Sequence, residues 1–92
     1  MFRIYIGSRN ETRQISSADE ELIVGTLSLE FDSFTYHKAV GVFCGTKEGT
    51  LIVTVGNTTL ETVQAVAGEL RALLEQDGIG IEHNGTYTRV TE

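Results

Sequence analysis

Apolar residues occupy every second position at the beginning of the chain. The segment Phe2–Ile6 alternates large apolar side chains with Arg3 and Tyr5, and a period of two is typical of a β-strand that buries one face. Gly7 ends the pattern, and a polar loop follows over residues 8–14. The chain is therefore predicted to open with a half-buried strand.

The following segment has the spacing of a helix. Ser17-Ala18-Asp19-Glu20 places a hydroxyl three residues before a carboxylate, which is the capping-box pattern of a helix start. Apolar side chains then recur at helical spacing despite the cost of an internal Gly25. They are Leu22, Ile23, Leu27 and Phe31.

Two β-rich runs come next, Phe34–Cys44 and Thr50–Val55. The segment between them, Gly45-Thr46-Lys47-Glu48-Gly49, begins and ends with glycine and predicts a hairpin loop. The second run is apolar on both faces, so we expect it in the interior of the sheet.

A second capping pattern, Thr58-Thr59-Leu60-Glu61, precedes the most regular helical stripe of the sequence. Its apolar positions are Leu60, Val63, Val66, Ala67, Leu70, Leu73 and Leu74. Asp77-Gly78 is predicted to end this helix, and a strand starting at Ile79 follows. Asn84-Gly85 is a dipeptide that type I′ turns prefer, so Thr86–Val90 is predicted to return as a short terminal strand.

This order predicts an α+β fold of the ferredoxin-like type, β-α-β-β-α-β, with a short C-terminal strand added. Both helices are expected on one face of an antiparallel sheet, in a single domain over residues 1–92. If the alternation holds, the opposite face carries a mixed set of side chains: Arg3, Tyr5, Thr35, His37, Ala39, Gly41, Phe43, Ile52 and Thr54.

A mixed outer face has a consequence for assembly. A chain of 92 residues buries only about 60 to 65% of its unfolded surface, and a lone copy would leave Phe43 and Ile52 in water. Packing between copies is an economical way to cover them, so we expect a symmetric oligomer with ligand sites between subunits.

Charge and cysteine content exclude several classes of protein. Thirteen acidic against seven basic residues give a formal charge of −6, and the basic residues are scattered, which argues against a nucleic-acid partner. Cys44 is the only cysteine, so no intrachain disulfide is possible, and it follows no metal-ligand spacing with His37 or His83. We expect neither a metal nor a cofactor.

No membrane partner is expected either. The longest apolar stretches are much shorter than a membrane span, and the first residues enter a strand directly without the pattern of a signal peptide. A cytoplasmic location is therefore the expectation.

The segment Tyr36–Glu48 carries the most informative chemistry. Gly41 and Gly45 interrupt a strand pattern, and glycine in a strand often marks a bulge or the close approach of a ligand or another backbone. Glu48 offers two acceptor oxygens to a vicinal diol such as that of ribose, or it is a solvated turn residue. Tyr36 and His37 can stack on a base, or they are ordinary sheet residues.

The loop after the first strand is a second candidate. Ser8, Arg9 and Asn10 offer backbone amides and a guanidinium to a carboxylate or phosphate, or they form a solvated surface loop. Conventional catalytic motifs such as GxSxG, HExxH, a Walker loop or GxGxxG do not occur.

Three segments together resemble a known family. Phe2 to Ser8, Gly41-Val42-Phe43 with Glu48, and Thr59 to Glu82 are similar in order and type to segments of the small S-adenosylmethionine-cleaving enzymes of bacteriophages. The topology also resembles trimeric small-molecule sensors of the nitrogen-signalling type, although their long nucleotide-binding loop is absent. The first resemblance covers most of the chain as topology and only a handful of positions as residues.

The resemblance to the phage enzymes implies a homotrimeric lyase that binds S-adenosylmethionine between subunits. Glu48 would hold the ribose, the Ser8 to Asn10 loop would position the methionine end, and Tyr36 or Phe43 would contact adenine. Two alternatives stay open: a sensor or sequestering protein that binds a nucleotide-like ligand without turnover, and a structural or protein-interaction domain whose acidic helices are the working surface.

Overall fold

Strands and helices follow one another in the predicted order. The computed structural model describes residues 1–9 and 12–92. The elements are β1 (Phe2–Gly7), α1 (Ser17–Glu30), β2 (Thr35–Phe43), β3 (Thr46–Val55), α2 (Leu60–Leu73), β4 (Ile79–His83) and β5 (Thr86–Val90).

The strands form one antiparallel sheet in the order β2-β3-β1-β4-β5. Both β-α-β units are split, because β3 lies between β1 and β2, and β1 lies between β3 and β4, as the ferredoxin-like topology requires. The predicted α+β class is thus confirmed, and β3 lies in the interior of the sheet as its apolar sequence indicated. β5 extends the sheet at the edge beyond β4.

The hydrophobic core lies between the sheet and the two helices. On β1 every second side chain is buried, as the period of two predicted. Apolar burial of this kind is the main force that holds the sheet and helices together, at roughly 25 cal/mol per Å² removed from water. The buried apolar residues are Phe2, Ile4, Ile6, Ile23, Leu27, Phe31, Leu51, Val53, Val55, Val63, Val66, Ala67, Leu70, Leu74, Ile79 and Ile81.

Both helices start one residue away from the predicted caps. Ser16, and not Ser17, is the N-cap of α1, and its Oγ accepts a hydrogen bond from the Asp19 amide at 3.0 Å. In α2 the Thr59 hydroxyl accepts from the Thr62 amide at 3.2 Å. Each predicted cap has a neighbouring hydroxyl residue, and in the structure that neighbour accepts the hydrogen bond from the first-turn amide.

The β2–β3 connection is tighter than predicted. Cys44 and Gly45 alone form the turn, with φ angles of 51° and 77°, and positive φ at both central residues defines a type I′ turn. The predicted loop over residues 45–49 is therefore wrong, because Thr46–Gly49 belong to β3. Glu48 is consequently a strand residue paired with Gly41 and not a turn residue.

The end of α2 also differs from the prediction, whereas the last hairpin agrees with it. The helix ends at Leu73, and Glu75 takes a φ of 54°, so the helix stops before Asp77-Gly78. Asn84 and Gly85 have φ angles of 52° and 81°, which confirms the predicted type I′ turn. In the part of the chain that the structure describes, no helix is both long enough and apolar enough to cross a membrane.

Candidate functional site

Strand register places the predicted outer face opposite the helices. Arg3, Tyr5 and Gly7 of β1 pair with Thr54, Ile52 and Thr50 of β3, which in turn pair with Thr35, His37 and Ala39 of β2. These residues alternate with the buried ones, so they share the face that no helix covers. The mixed composition predicted for this face is confirmed.

An open cavity of about 450 Å³ lies on this outer face. Four of the lining residues are glycines, and because they have no side chains, neighbouring side chains can lie close over the backbone there. The lining residues are Tyr5, Gly7, Gly41, Val42, Phe43, Glu48, Thr50, Gln76, Asp77, Gly78, Gly80, Tyr87 and Arg89.

Strand β5 forms one wall of the cavity by folding its side chains over glycines. The Tyr87 ring occupies the space where a β-carbon on Gly80 would lie, with its Cε2 and Cζ atoms 2.6 Å from that point. Arg89 lies in the same way over Gly78, with its Cγ and Cζ atoms 2.9 Å from the corresponding point. A side chain on either glycine would therefore displace this wall.

Two acceptor oxygens converge at the centre of the floor. Oε1 of Glu48 and Oε1 of Gln76 both lie within 3.3 Å of the point that a β-carbon on Gly7 would occupy. The amide nitrogen of Gln76 is held by a 2.8 Å hydrogen bond to the Ser8 carbonyl, so its oxygen faces the cavity. This arrangement suits a ligand that brings hydrogen-bond donors to the floor.

The Tyr5 hydroxyl donates a hydrogen bond to a side chain of the neighbouring strand β4. Its hydroxyl donates to Oε1 of Glu82 at 2.7 Å, and Arg3 approaches the same oxygen at 3.4 Å. The hydrogen bond to Glu82 raises the pKa of Tyr5 above its ordinary value and lowers the pKa of Glu82. At neutral pH Tyr5 is therefore protonated, and it contributes a neutral aromatic surface next to Tyr87, whose ring centroid is 6.0 Å away.

The structure brings three of the sequence-predicted site residues together. Gly41, Phe43 and Glu48 all line the cavity. The glycine leaves room above the sheet for the Thr50 hydroxyl, whose Oγ1 lies 2.8 Å from the position of an added β-carbon.

The remaining predicted residues lie elsewhere. Ser8 is buried, with 2% of its surface exposed. Nε of Arg9 binds both carboxylate oxygens of Asp19, at 3.1 and 3.0 Å. Tyr36 packs against the core and donates to Glu20 at 2.8 Å, because its strand position faces the helices. Asn10 lies outside the described residues.

Sequence reasoning missed the residues of the α2–β4 loop and of β5. Gln76, Asp77 and Arg89 line the cavity, yet the loop was interpreted only as a helix stop. Gly80 was an available signal, since glycine in a strand often marks the close approach of another group. The face of the sheet on which Gly80 lies is set by the pairing of β4 with β1.

The histidines and the cysteine do not assemble into a metal centre. His83 stacks on Phe2 with ring centroids 4.1 Å apart, and Cys44 is exposed in its turn. Within residues 1–9 and 12–92, no three His, Cys, Asp or Glu side chains lie close enough to hold a metal ion.

Fold and site together define a ferredoxin-like α+β protein with an open, glycine-floored cavity on the face of the sheet opposite its helices. Among solved structures, the chain is similar to a phage SAM lyase in the apo state, with a TM-score of 0.65 and 19% identity over 99% of this chain and 87% of that one. It is also similar to a phage SAM lyase in complex with S-methyl-5′-thioadenosine, with a TM-score of 0.58 and 20% identity over 99% and 88% of the two chains. Comparison with protein-family models and with curated sequences finds no match. The structural likeness establishes a shared fold.

Proposed function

We propose that the protein binds an adenosine-type ligand in the outer-face cavity and acts on S-adenosylmethionine as a lyase of the phage type. The observation that carries this proposal is the convergence of the Glu48 and Gln76 oxygens over Gly7. Two acceptors with no donor between them suit the two adjacent hydroxyls of a ribose. The fold shared with phage SAM lyases, one of them holding S-methyl-5′-thioadenosine, supports the same class of ligand.

The charges of the cavity complement those of S-adenosylmethionine. Glu48 and Asp77 are acidic and Arg89 is basic, whereas the substrate carries a sulfonium, an ammonium and one carboxylate. Opposite charges that meet in a cavity favour and orient binding. In this proposal Glu48 holds the ribose, and Phe43 or Tyr87 offers an aromatic surface to adenine.

The reaction requires little chemistry from the protein. A carboxylate oxygen of the methionine moiety attacks the γ-carbon of its own side chain, and the carbon–sulfur bond breaks with its electron pair remaining on sulfur. The products are methylthioadenosine and homoserine lactone, and no proton, oxidant or cofactor is consumed. Because the sulfonium is already a good leaving group, holding the chain in an attack conformation and excluding water supply most of the acceleration.

We also propose that the protein is a homotrimer, because a neighbouring subunit would help to exclude water from the cavity. Val42 and Phe43 line the cavity and expose 68% and 55% of their surface. A neighbouring copy placed against these side chains would bury apolar surface and close the cavity at the same time.

Incubation with S-adenosylmethionine followed by chromatography tests the proposal. We expect methylthioadenosine and homoserine lactone in equal amounts, with heat-denatured protein as the control. Retention of S-adenosylmethionine without turnover would instead identify a sensor or sequestering protein. Failure to bind either S-adenosylmethionine or methylthioadenosine would contradict the proposal and favour an interaction domain.

A further inference from the structure

Arg89 is the one positively charged residue among the described lining of the cavity. It pairs with Gly80 across the β4–β5 ladder, which places it on the outer face. Its side chain then lies over Gly78, where a β-carbon would overlap it. Because Gly78 has no side chain, the Arg89 side chain can occupy this position.

The guanidinium has no acidic partner in the part of the chain that the structure describes. Arg3, Arg9 and Lys38 all form ion pairs with carboxylates, and an Arg71 guanidinium nitrogen donates to a backbone carbonyl at 3.2 Å. No carboxylate of residues 1–9 and 12–92 lies within ion-pair distance of Arg89, although Asp77 and Glu48 line the same cavity. Arg13 and Lys47 also form no ion pair with a described residue, but they lie outside the cavity. Arg89 is therefore the cation that is available at the candidate site.

We infer that Arg89 is the carboxylate-binding residue of this cavity and that Gly78 is its positioning residue. Arg89 makes the site selective for an adenosine ligand that carries an amino-acid carboxylate over one that lacks it. The planar guanidinium presents two parallel N–H donors that match a carboxylate, which a solvated lysine ammonium does not. The inference rests on the proposed function, and it replaces the role that the sequence suggested for Arg9, whose guanidinium binds Asp19.

Two stable ligands separate this inference from the proposed function. S-adenosylhomocysteine carries the amino-acid end, and methylthioadenosine lacks it. In Arg89→Gln we expect the affinity for S-adenosylhomocysteine to fall about tenfold, as for the loss of a charge-assisted pair, while the affinity for methylthioadenosine is unchanged. Calorimetric titration of both ligands measures this difference.

Three further variants sharpen the test. Gly78→Ala should weaken S-adenosylhomocysteine selectively although Arg89 is retained, because the new β-carbon displaces the guanidinium. Arg89→Lys should restore part of the affinity that Arg89→Gln loses, since it keeps the charge without the fork. Lys47→Gln makes the same charge change at an exposed residue outside the cavity, and both affinities should stay as in the wild type.

The outcomes against the inference are distinct from those against the proposed function. Equal weakening of both ligands in Arg89→Gln, or weakening of neither, overturns the carboxylate assignment while adenosine binding stands. If Arg89→Gln does not fold, Arg89→Lys decides: affinity for S-adenosylhomocysteine equal to the wild type contradicts a fork-dependent contact. Binding of neither ligand by the wild-type protein overturns the proposed function and this inference together.

Discussion

Glu48 illustrates how one residue changes meaning between sequence and structure. In sequence it lies between Gly45 and Gly49 in a turn-like segment. In the structure it lies on β3 opposite Gly41 and lines the cavity. Its carboxylate has no hydrogen-bond partner or ion pair within residues 1–9 and 12–92, and one of its oxygens lies above Gly7. A strand position of this kind holds a carboxylate more rigidly than a loop does.

Replacing Glu48 by Gln therefore tests the ribose contact directly. The amide keeps the size but loses the charge. We therefore expect the binding free energy of methylthioadenosine to become less favourable by roughly 1.5 to 3 kcal/mol. The free energy of unfolding should change by no more than about 0.5 kcal/mol, because Glu48 lies outside the hydrophobic core and no hydrogen bond or ion pair with a described residue is lost. Calorimetry gives the first quantity and urea denaturation the second.

Glu21→Gln is the matched control, since Glu21 is exposed on α1 outside the cavity. It should leave the affinity for methylthioadenosine unaltered. Equal affinities of wild type and Glu48→Gln would mean that the carboxylate is solvated and does not touch the ligand. Unfolding of Glu48→Gln would mean instead that its role is structural.

Two carboxylates outside the cavity make the stability of the fold depend on pH. The pKa of Glu20 is lowered by the hydrogen bonds that its carboxylate accepts from Lys38 and Tyr36. The pKa of Glu82 is lowered chiefly by the hydrogen bond from Tyr5. Because the pKa of each group is lower in the folded than in the unfolded protein, each group stabilises the fold at pH values above its ordinary pKa of 4.5. This contribution is lost as the pH falls through the lower folded-state value.

We therefore expect the midpoint of thermal unfolding to fall as the pH decreases below about 4.5, the ordinary pKa of these groups. The double variant Glu20→Gln with Glu82→Gln should show a smaller decrease over the same range. Circular dichroism melts at a series of pH values measure it. In the control variant Glu61→Gln, the unfolding midpoint should fall with pH as steeply as in the wild type. An equally steep fall in the double variant would show that other carboxylates are responsible.

At the scale of elements, the helix starts depend on one hydroxyl each. Thr58 and Thr59 are adjacent, yet the structure assigns the cap of α2 to Thr59, whose side chain accepts from the Thr62 amide. Each cap satisfies a backbone N–H that the first turn of a helix leaves without a partner.

We predict that Thr59→Ala lowers the free energy of unfolding by about 1 kcal/mol, the usual cost of losing an N-cap. Thr58→Ala should change it by no more than about 0.5 kcal/mol. Urea denaturation of the two single variants compares neighbours of identical chemistry. The reverse order would restore the cap position that the sequence pattern first indicated.

At the scale of the whole molecule, three exposed apolar residues lie close together in sequence near the end of β2. Val40 and Val42 expose 71% and 68% of their surface, and Phe43 exposes 55%. β2 is also an edge strand whose second side has no strand partner within the described sheet. Edges of this type either pair with another chain or need protection against doing so.

We predict that the protein is a trimer in solution. Light scattering at micromolar concentration should give about three times the chain mass of 10.1 kDa, because covering this patch stabilises a closed symmetric oligomer. Val42→Lys should reduce the mass to that of a monomer. Leu29→Lys is the control, since Leu29 is 83% exposed on α1 and away from the hairpin. A monomer mass for the wild type would contradict the trimer and leave the fold unaffected.

The sequence by itself determined the type and order of the elements and the division of the sheet into two faces. Period-two alternation in β1 and the helical stripe of α2 are local patterns, and Asn84-Gly85 specifies its turn through backbone angles. Each depends on residues close together in the chain, so each could be predicted without knowing the packing. Gly41, Phe43 and Glu48 came within reach of prediction for the same reason, since they share one hairpin.

Only the tertiary structure decided which charged groups are engaged and which are available. The sequence indicated Arg9 as a ligand-binding residue and gave no role to Arg89, but in the structure the Arg9 guanidinium binds Asp19 of α1. The pairing of β4 with β1 and of β5 with β4 carries Arg89 to the cavity, close to a strand from the other end of the chain. These contacts join residues far apart in the sequence, and their geometry depends on how the whole sheet buries its apolar face.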